Sequence, residues 1–398
     1  MLSYKRMVQS APLAGLRVLE VAQFAAGPFP ALLLADFGAD VVKVEPPGGD
    51  GFRSWPPQVD CGDAGAFGMN FAVLNRNKRS VVLDLKAPAD RARFLSLCAK
   101  ADVLLENNRP GAMARLGLGF AEVRAVQPKI VYCSVSGYGQ SGPYARRGAF
   151  DVAVQAMSGC MSVTGDEEGA PAKCGVPVAD FLAGVYAAFG IMVALQDARR
   201  TGKARQVDCS MLGCMLQAAS LQLGELWGTG APPKRLGSRH PRNAPYRAFE
   251  ASDKSFVIAA GNDALWHKVC DVVGRPQLKH DARFATVEQR ARQEPLLTQL
   301  LQPLFRQRSA AQWLAAFEAS GVPCAPVYDF AEVCEDPHVK ESGILCPITL
   351  PGGRASLSVG NPLGMTDYAF QVRRNPPRLG EHDEEVFADW LRGEKHAR

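Results

Sequence analysis

The sequence predicts an α/β protein, with a large domain built on a mostly parallel sheet and a smaller α/β domain. Strand-like and helix-like segments alternate through the first half of the 398 residues, the pattern of a parallel sheet with helical crossovers. A segment rich in Gly, Pro and basic residues, 228–247, separates this half from further strands and helices. The composition, 47% hydrophobic and 21% charged, is typical of a folded globular chain.

The strands of the large domain are predicted from short apolar runs. They are expected at 16–22, 40–45, 80–86, 102–107 and 129–137. Ligands on a parallel sheet bind beyond the carboxyl ends of its strands. The loops that follow these five strands are therefore the candidate binding loops.

Apolar segments between and after these strands predict helices. They are expected at 28–38, 91–101, 111–118, 181–199 and 208–227. The charged run 197–206 is interpreted as the solvated end of the fourth helix, because cations stabilise a helix C-terminus. The longest apolar run, Phe181 to Leu195, is shorter than the roughly 20 residues of a membrane span. We expect it to be a buried helix of a soluble protein.

The segments beyond the linker predict a second domain. A strand is expected at 255–261, helices at 263–274, 287–305 and 309–320, and a hairpin at 346–359 that turns at 351–353. The tail from about residue 325 is expected to return to the large domain. The predicted division is 1–227, 228–325 and 326–398.

Charge and residue usage exclude several classes of function. The net charge of +5 is small for this length, and it does not indicate nucleic-acid binding. The first fifteen residues hold no long apolar run, so no secretory signal is read there and a cytoplasmic protein is expected. The eleven cysteines form no CxxC pair, so we expect reduced thiols and no metal site. All six histidines lie at position 240 or later, which removes a histidine base from the first half.

The first strand–helix–strand unit does not carry a dinucleotide fingerprint. Glu45 stands where a ribose-binding acid would, but the turn AQFAAGPFP holds one glycine, Gly27, with Pro28 and Pro30 beside it. Backbone cannot approach a pyrophosphate closely without the missing glycines. Two other loops, NRNKRS at 75–80 and ENNRPG at 106–111, could offer cations and amides to phosphate and a nucleobase, or could be solvated surface.

Asp180 is the one charged residue in the apolar stretch GVPVADFLAG, residues 175–184. An Asp before an apolar helix is a preferred N-cap. It is also a possible nucleophile, since a helix N-terminus favours the ionised carboxylate. The residues alone leave both roles open.

Taken in order, the motifs resemble those of the class III coenzyme A transferases. They are GLRVLEVAQFAAGP, GADVVKVEPPGGD, NRNKRSVVLDLK, ENNRPGAMARLGL, SGYGQSGPY, VADFLAG and AAGND, and they run from about Gly15 to Leu391. The resemblance implies a Rossmann-like large domain built from both chain ends, an interlocked homodimer, and CoA bound to the large domain. It also implies that Asp180 attacks an acyl-CoA thioester, forms an anhydride and then carries CoA as a thioester. No permanently bound cofactor or metal is needed, because that carboxylate is expected to be ionised at neutral pH.

The resemblance also assigns CoA and substrate contacts. The CoA contacts are Phe24, Ala25, Ala26, Leu83, Lys86, Asn107, Asn108, Arg109, Arg115, Ser136 and Gly137, and the substrate loop is Ala260, Gly261 and Asn262. Pro46 and Ser136 stand where some members have Arg and Lys. The CoA phosphates must then rely on other cations, for which Arg76, Lys86 and Arg115 are candidates.

Two other functions are compatible with the same fold. The related α-methylacyl-CoA racemases carry a histidine where this chain has Phe150, so a two-base proton exchange lacks one partner. A non-catalytic CoA-binding protein would use Asp180 only as a cap. For the acceptor acid, Arg239, His240, Arg242 and Arg247 of the linker could bind a second carboxylate or be solvated. The whole pattern is nearest to members that use short dicarboxylates such as succinate or glutarate.

Overall fold

The structure is a computed structural model that describes residues 11–392. The first ten residues, part of the segment in which no secretory signal was predicted, lie outside the described residues. Within the described residues the chain forms two compact units. The first contains residues up to Cys160, Lys173–Gly230 and the chain from His338, and the second contains Met161–Ala172 and Ala231–Pro337.

The strands and helices alternate through most of the chain. The strands are β1 (Arg17–Val21), β2 (Asp40–Glu45), β3 (Gln58–Asp60), β4 (Ala66–Gly68), β5 (Lys78–Val82), β6 (Val103–Glu106), β7 (Val131–Ser136), β8 (Arg205–Ser210), β9 (Tyr246–Glu250), β10 (Ser255–Ala259), β11 (Cys324–Pro326), β12 (Leu345–Thr349) and β13 (Ala355–Val359). The α-helices are α1 (Pro28–Asp36), α2 (Met69–Asn75), α3 (Pro88–Cys98), α4 (Ala112–Arg115), α5 (Phe120–Val126), α6 (Asp151–Met157), α7 (Cys160–Val163), α8 (Val178–Thr201), α9 (Met211–Ala218), α10 (Ser220–Thr229), α11 (Asp263–Val272), α12 (Val287–Arg292), α13 (Glu294–Phe305), α14 (Ala310–Ala319), α15 (Phe330–Glu335), α16 (Pro337–Ser342) and α17 (Asp383–Phe387).

A six-stranded sheet in the order β5-β2-β1-β6-β7-β8 organises the first unit. Every pairing in it is parallel, which confirms the predicted fold class. Its side chains alternate between two cores. On one face Val18 and Leu105 pack with α1, α6, α8 and α9, and on the other Leu19 and Leu104 pack with α3, α4, α5 and α17. All strand carboxyl ends therefore open at one edge of the sheet.

The last strand of this sheet, β8, was not predicted. Its sequence RQVDCS places Arg205 and Gln206 at the start of an edge strand, whereas the pattern suggested the charged end of a helix. The predicted helix at 208–227 is correspondingly two helices, α9 and α10, that begin after β8. The strand predicted at 80–86 also begins earlier and ends earlier, at Lys78–Val82. Lys86 lies in the turn before α3.

The second unit has its own core and a three-stranded antiparallel sheet in the order β11-β10-β9. Trp266, Phe256, Phe305 and Phe317 are buried between this sheet and α11, α13 and α14. The predicted linker, 228–247, ends inside β9, because Tyr246 and Arg247 are the first two residues of that strand. In the first unit, the hairpin predicted at 346–359 is confirmed as β12 and β13, which pair antiparallel across a turn at Pro351–Gly353.

Helix α8 was predicted to be buried, and this is only half correct. One face, which includes Ala183, Ala187 and Ile191, packs in the core of the sheet. The opposite face leaves Val185 and Phe189 50% and 66% exposed. With 24 residues, α8 is the one helix in the described part of the chain whose length and composition would suit a membrane span, but a core helix passes the same test.

Candidate active site

The predicted nucleophile, Asp180, lies in the first turn of α8 but does not cap it. The helix begins two residues earlier, at Val178, after Pro177. The prediction that Asp180 starts the helix is therefore wrong, because Pro177 occupies the N-cap position. The Asp180 carboxylate makes no hydrogen bond or ion pair with the described residues and is partly buried. It is free to react.

The N-terminus of α8 is capped by a carboxylate from another helix. Oδ1 of Asp151, the first residue of α6, accepts a hydrogen bond of 2.8 Å from the backbone N–H of Ala179. Oδ2 of Asp151 accepts one of 2.6 Å from the side chain of Gln155. The side-chain oxygen Oε1 of Gln155 in turn accepts a hydrogen bond of 2.8 Å from the backbone N–H of Cys174. This network fixes the segment before Asp180 against α6.

Burial and, to a smaller extent, the negative charge of Asp151 raise the pKa of Asp180 from 3.8 to about 7. Loss of hydration disfavours the charged carboxylate, and a second carboxylate nearby adds repulsion. The expectation of a fully ionised Asp180 at neutral pH is therefore wrong. A substantial fraction of the folded protein carries this residue protonated at pH 7.

Helix α8 is positioned at its other side by α1. The ring of Phe181 meets that of Phe29 edge to face, with centroids 4.7 Å apart. Gly184 lets the helices approach, since a Cβ there would lie 2.7 Å from the Phe29 ring. Phe29 follows the first-strand loop directly, so this contact couples Asp180 to the loop that contains Phe24.

The first-strand loop is held by a buried carboxylate that the sequence did not single out. Oδ1 of Asp50 accepts hydrogen bonds from the backbone N–H groups of Phe24 and Phe52. Phe24 has a φ of 63°, an unusual value for a residue with a large side chain. Asp50 is itself paired at 2.8 Å with Lys43, and both residues are buried. The loop conformation is therefore built on a buried ion pair.

An aromatic cluster lies between this loop and α6. The ring of Phe24 contacts the rings of Phe52, Trp55 and Phe150 at centroid distances of 5.4, 5.4 and 6.4 Å. Phe150 directly precedes Asp151, and it is 67% exposed. A substrate held near Asp180 would thus meet an apolar, aromatic surface.

The predicted CoA loops after β1 and β6 are brought together. The Asn107 side chain exchanges two hydrogen bonds with the backbone of Gln23, at 2.9 and 2.8 Å. The Asn108 side chain donates to the carbonyl of Val21 at 3.2 Å. These amides hold the two loops to each other, so their first role is structural. Ala25 and Ala26 are buried beside them.

The remaining CoA candidates differ in accessibility. Lys86, Arg109 and Arg115 are exposed. Leu83 and Ser136 are buried, and the Ser136 hydroxyl accepts a hydrogen bond of 3.1 Å from the N–H of Gly139. Gly137 lies against Ala149: a Cβ added at Gly137 would come within 2.2 Å of the Ala149 Cβ.

Arg76 is not available to CoA phosphates, contrary to the prediction. Its guanidinium is buried and paired at 2.6 Å with Asp36, and it also donates to the Ser358 hydroxyl. A cation committed to a buried pair cannot leave it without a large loss of stability. Lys86 and Arg115 remain the candidates.

The predicted substrate loop lies in the second unit. Ala260 is buried and its N–H donates to the carbonyl of Pro245 at 2.9 Å. Asn262 caps α11 by accepting a hydrogen bond of 2.9 Å from the N–H of Leu265. Gly261, between them, faces Asn243 across the loop.

Two of the four linker residues proposed for a second carboxylate are engaged within the same unit. Arg247 pairs with Glu294 at 2.9 Å, and Arg239 pairs with Glu167 at 2.7 Å. The His240 ring stacks on Tyr246 with centroids 4.9 Å apart, and burial lowers its pKa. A neutral, stacked imidazole is a poor clamp for an anion.

A parallel α/β sheet, two joined loops at its carboxyl edge and an unpaired aspartate in the first turn of a helix are features that a group-transfer enzyme of the α/β class would use. The model of CoA-transferase family III matches residues 13–383. The chain belongs to this family, so it is an enzyme that acts on a CoA thioester and a carboxylic acid.

Named relatives agree with this assignment. The chain is 36% identical over 381 residues to the succinate–glutarate CoA-transferase of Agrobacterium fabrum, with 95% of each chain covered. It is 39% identical over 380 residues to the acetyl-CoA:oxalate CoA-transferase of Acetobacter aceti, with 93% of each covered. Among solved structures, a CAIB/BAIF family protein from Brucella suis matches with a TM-score of 0.87 and 35% identity, covering 96% of this chain and all of that one.

Proposed function

We propose that this enzyme moves CoA from an acyl-CoA to a short dicarboxylic acid such as succinate or glutarate, through covalent intermediates on Asp180. The observation that carries the proposal is the free Asp180 carboxylate in an apolar setting. The names of the relatives, which include succinate–glutarate, mesaconate and oxalate CoA-transferases, support the choice of acid.

The mechanism follows from what each group can do. The ionised carboxylate attacks the thioester carbonyl and releases CoA as a thiolate, which leaves a mixed anhydride. The CoA thiolate then attacks the Asp180 carbonyl of the anhydride, which expels the donor acid and leaves CoA on Asp180 as a thioester. The acceptor carboxylate displaces CoA from this thioester and forms a second anhydride. The released thiolate attacks the acceptor's carbonyl, which gives the new acyl-CoA and restores the Asp180 carboxylate. An anhydride hydrolyses readily, so the aromatic cluster around Phe24 and Phe150 serves to exclude water.

The racemase alternative needs two bases on either side of a carbon. Phe150 supplies no proton, and the Asp151 carboxylate is engaged with Ala179 and Gln155. A non-catalytic role gives no reason for a free, partly buried carboxylate whose desolvation costs stability. Transferase chemistry uses that carboxylate directly.

The test is to trap the acyl-enzyme. The protein is incubated with succinyl-CoA and hydroxylamine, and peptides are mapped by mass. A hydroxamate on Asp180 is expected, and Asp180→Asn should abolish both trapping and CoA exchange. Asp197→Asn, at the exposed far end of the same helix, is the matched control. Trapping elsewhere, or full turnover by Asp180→Asn, would refute the proposal.

A panel of donor acyl-CoAs against acceptor acids then identifies the substrates. Succinate, glutarate and oxalate are compared with a monocarboxylate of similar length, and products are read by mass. Faster transfer to the dicarboxylates is expected. A preference for the monocarboxylate would overturn the choice of acid but leave the transferase reaction intact.

We also propose that the enzyme is a cytoplasmic homodimer. The exposed apolar face of α8 and the side chains of Leu221 and Trp227 on α10, 75% and 76% exposed, support this. Exposed apolar side chains that lie together on a surface often mark a protein–protein interface. Light scattering should give twice the chain mass, and Phe189→Glu should weaken the assembly. A wild-type monomer would contradict the proposal, and co-flotation with lipid vesicles would point to a membrane instead.

A further inference from the structure

Two thiols meet where β8 passes into α9. Sγ of Cys209 lies 3.7 Å from Sγ of Cys214. Ser210 caps α9 by accepting a hydrogen bond from the N–H of Gly213, and this sharp turn returns Cys214 over Cys209. A disulfide needs about 2 Å between sulfurs, so a small side-chain rotation would bring the pair to bonding distance.

The pair differs from the other buried thiols of the sheet. Cys98 and Cys133 are completely buried, and burial is the main cause that raises the pKa of each. Cys209 and Cys214 retain 6% and 7% exposure. Either sulfur can donate in the hydrogen bond between the two, and sharing one proton in this way stabilises a thiolate within the pair. A thiolate is the reactive form.

The pair also contacts the helix that carries the nucleophile. The Cys209 thiol lies 3.4 Å from the carbonyl oxygen of Ala183, one turn beyond Asp180 in α8. Helix α9, which begins between the two cysteines, packs against both α8 and α6. A new covalent bond at the start of α9 would therefore act on the two helices that place Asp180 and Asp151.

We propose that Cys209 and Cys214 are a modification site, at which a hydroperoxide forms a reversible disulfide that slows CoA transfer. The thiolate of one cysteine attacks an oxygen of hydrogen peroxide, the O–O bond breaks, and a sulfenic acid and hydroxide form; the hydroxide takes up the proton that the thiol released and becomes water. The second cysteine thiol then attacks the sulfenic acid sulfur, and its proton leaves with the hydroxyl group as a second water when the S–S bond forms. The two thiols are oxidised and the hydroperoxide is reduced. The effect on rate rests on the proposed function, whereas the disulfide itself does not.

Mass spectrometry tests the bond directly. The full-length protein is treated with hydrogen peroxide, its free thiols are alkylated under denaturing conditions, and it is digested with trypsin. Residues 206–234 form one tryptic peptide that holds Cys209 and Cys214 and no other cysteine. The expected product is this peptide without alkyl groups and two hydrogen atoms lighter, restored to two alkylated thiols by dithiothreitol.

Activity measured in parallel tests the regulation. We expect a several-fold loss of CoA transfer that dithiothreitol reverses in the wild type. In Cys214→Ser no such reversible loss should occur, while Cys334→Ser, at an exposed thiol of the second unit, should respond like the wild type. Full alkylation of both thiols after peroxide would overturn the proposal, and a disulfide without change in rate would overturn its regulatory part. An enzyme with no transferase activity before oxidation would refute the proposed function, and the peptide mass would still report the disulfide.

Discussion

The carboxylate of Asp151 accepts a hydrogen bond of 2.8 Å from the backbone N–H of Ala179, the residue before Asp180. Through this bond the first residue of α6 caps the N-terminus of α8, next to the proposed nucleophile Asp180. The same carboxylate brings a negative charge near Asp180 and contributes to the rise of its pKa to about 7. Asp151 therefore holds the helix turn that carries the proposed nucleophile and contributes to the pH range in which that residue is charged.

The rate should depend on pH through Asp180. Only the ionised carboxylate attacks the thioester, and its pKa is about 7. We expect kcat/KM for the acyl-CoA to fall about tenfold per pH unit well below pH 7 and to level off above it. Initial rates across this range check the expectation. A profile that is flat from pH 5 to 8 would mean that Asp180 is ionised throughout.

Asp151→Asn should move this profile to lower pH. The substitution removes the neighbouring negative charge but keeps an oxygen that can accept from the Ala179 N–H. We expect the inflection to shift down by on the order of one pH unit, with the fold retained. Asp197→Asn, which changes a charge at the far end of α8, should leave the inflection in place. An unchanged profile in Asp151→Asn would show that burial alone raises the pKa of Asp180.

Asp180→Asn should stabilise the protein, and only at higher pH. The pKa of Asp180 is raised on folding from 3.8 to about 7, so the protonated form favours the folded state. That contribution is fully present below pH 3.8 and is lost as the pH rises through 7. Above pH 7 the buried charge costs up to about 4 kcal/mol. Thermal unfolding at pH 8 and pH 4 should show a higher Tm for the variant at pH 8 alone. An equal gain at both values would contradict the raised pKa.

Arg115 and Arg76 should have opposite effects when replaced. Arg115 is exposed near the loop after β6, so Arg115→Ala should raise the KM for the acyl-CoA without lowering the Tm. Arg76 is buried against Asp36, so Arg76→Ala should cost about 3–5 kcal/mol of stability. Lys129→Ala, at an exposed cation before β7, controls for a general change in charge. A normal KM in Arg115→Ala would mean that other cations bind the phosphates.

Elements with strong local signals were predicted well. The strands β1, β2, β6 and β7 are short, buried apolar runs, and each was expected within two residues of its position. The hairpin was predicted because its turn has a distinctive Pro-Gly-Gly sequence. β8 and β9 were missed because each lies at the edge of its sheet, where polar and charged residues such as Arg205 replace a continuous apolar run. Local sequence resembles a helix end or a linker in these places.

The residues of the candidate site also divide into those that the sequence predicted and those that it did not. Asp180 and the binding loops were found from motifs, because they are contiguous in the chain. Asp151 and Asp50 were missed as site residues, although Asp151 stands before an apolar helical segment. The Asp151 partner, Ala179, lies 28 residues further along the chain. Hydrogen bonds across that distance leave no pattern in a single sequence.

The sequence alone determined the class of fold, the family resemblance and the identity of the candidate nucleophile. These depend on the order of apolar runs and on residue types at fixed spacing, which are local properties. Only the tertiary structure decided that another helix caps α8, that the pKa of Asp180 is raised to about 7, and that Arg76 is paired with Asp36. Desolvation and pairing depend on what surrounds a side chain in space, and folding sets those surroundings.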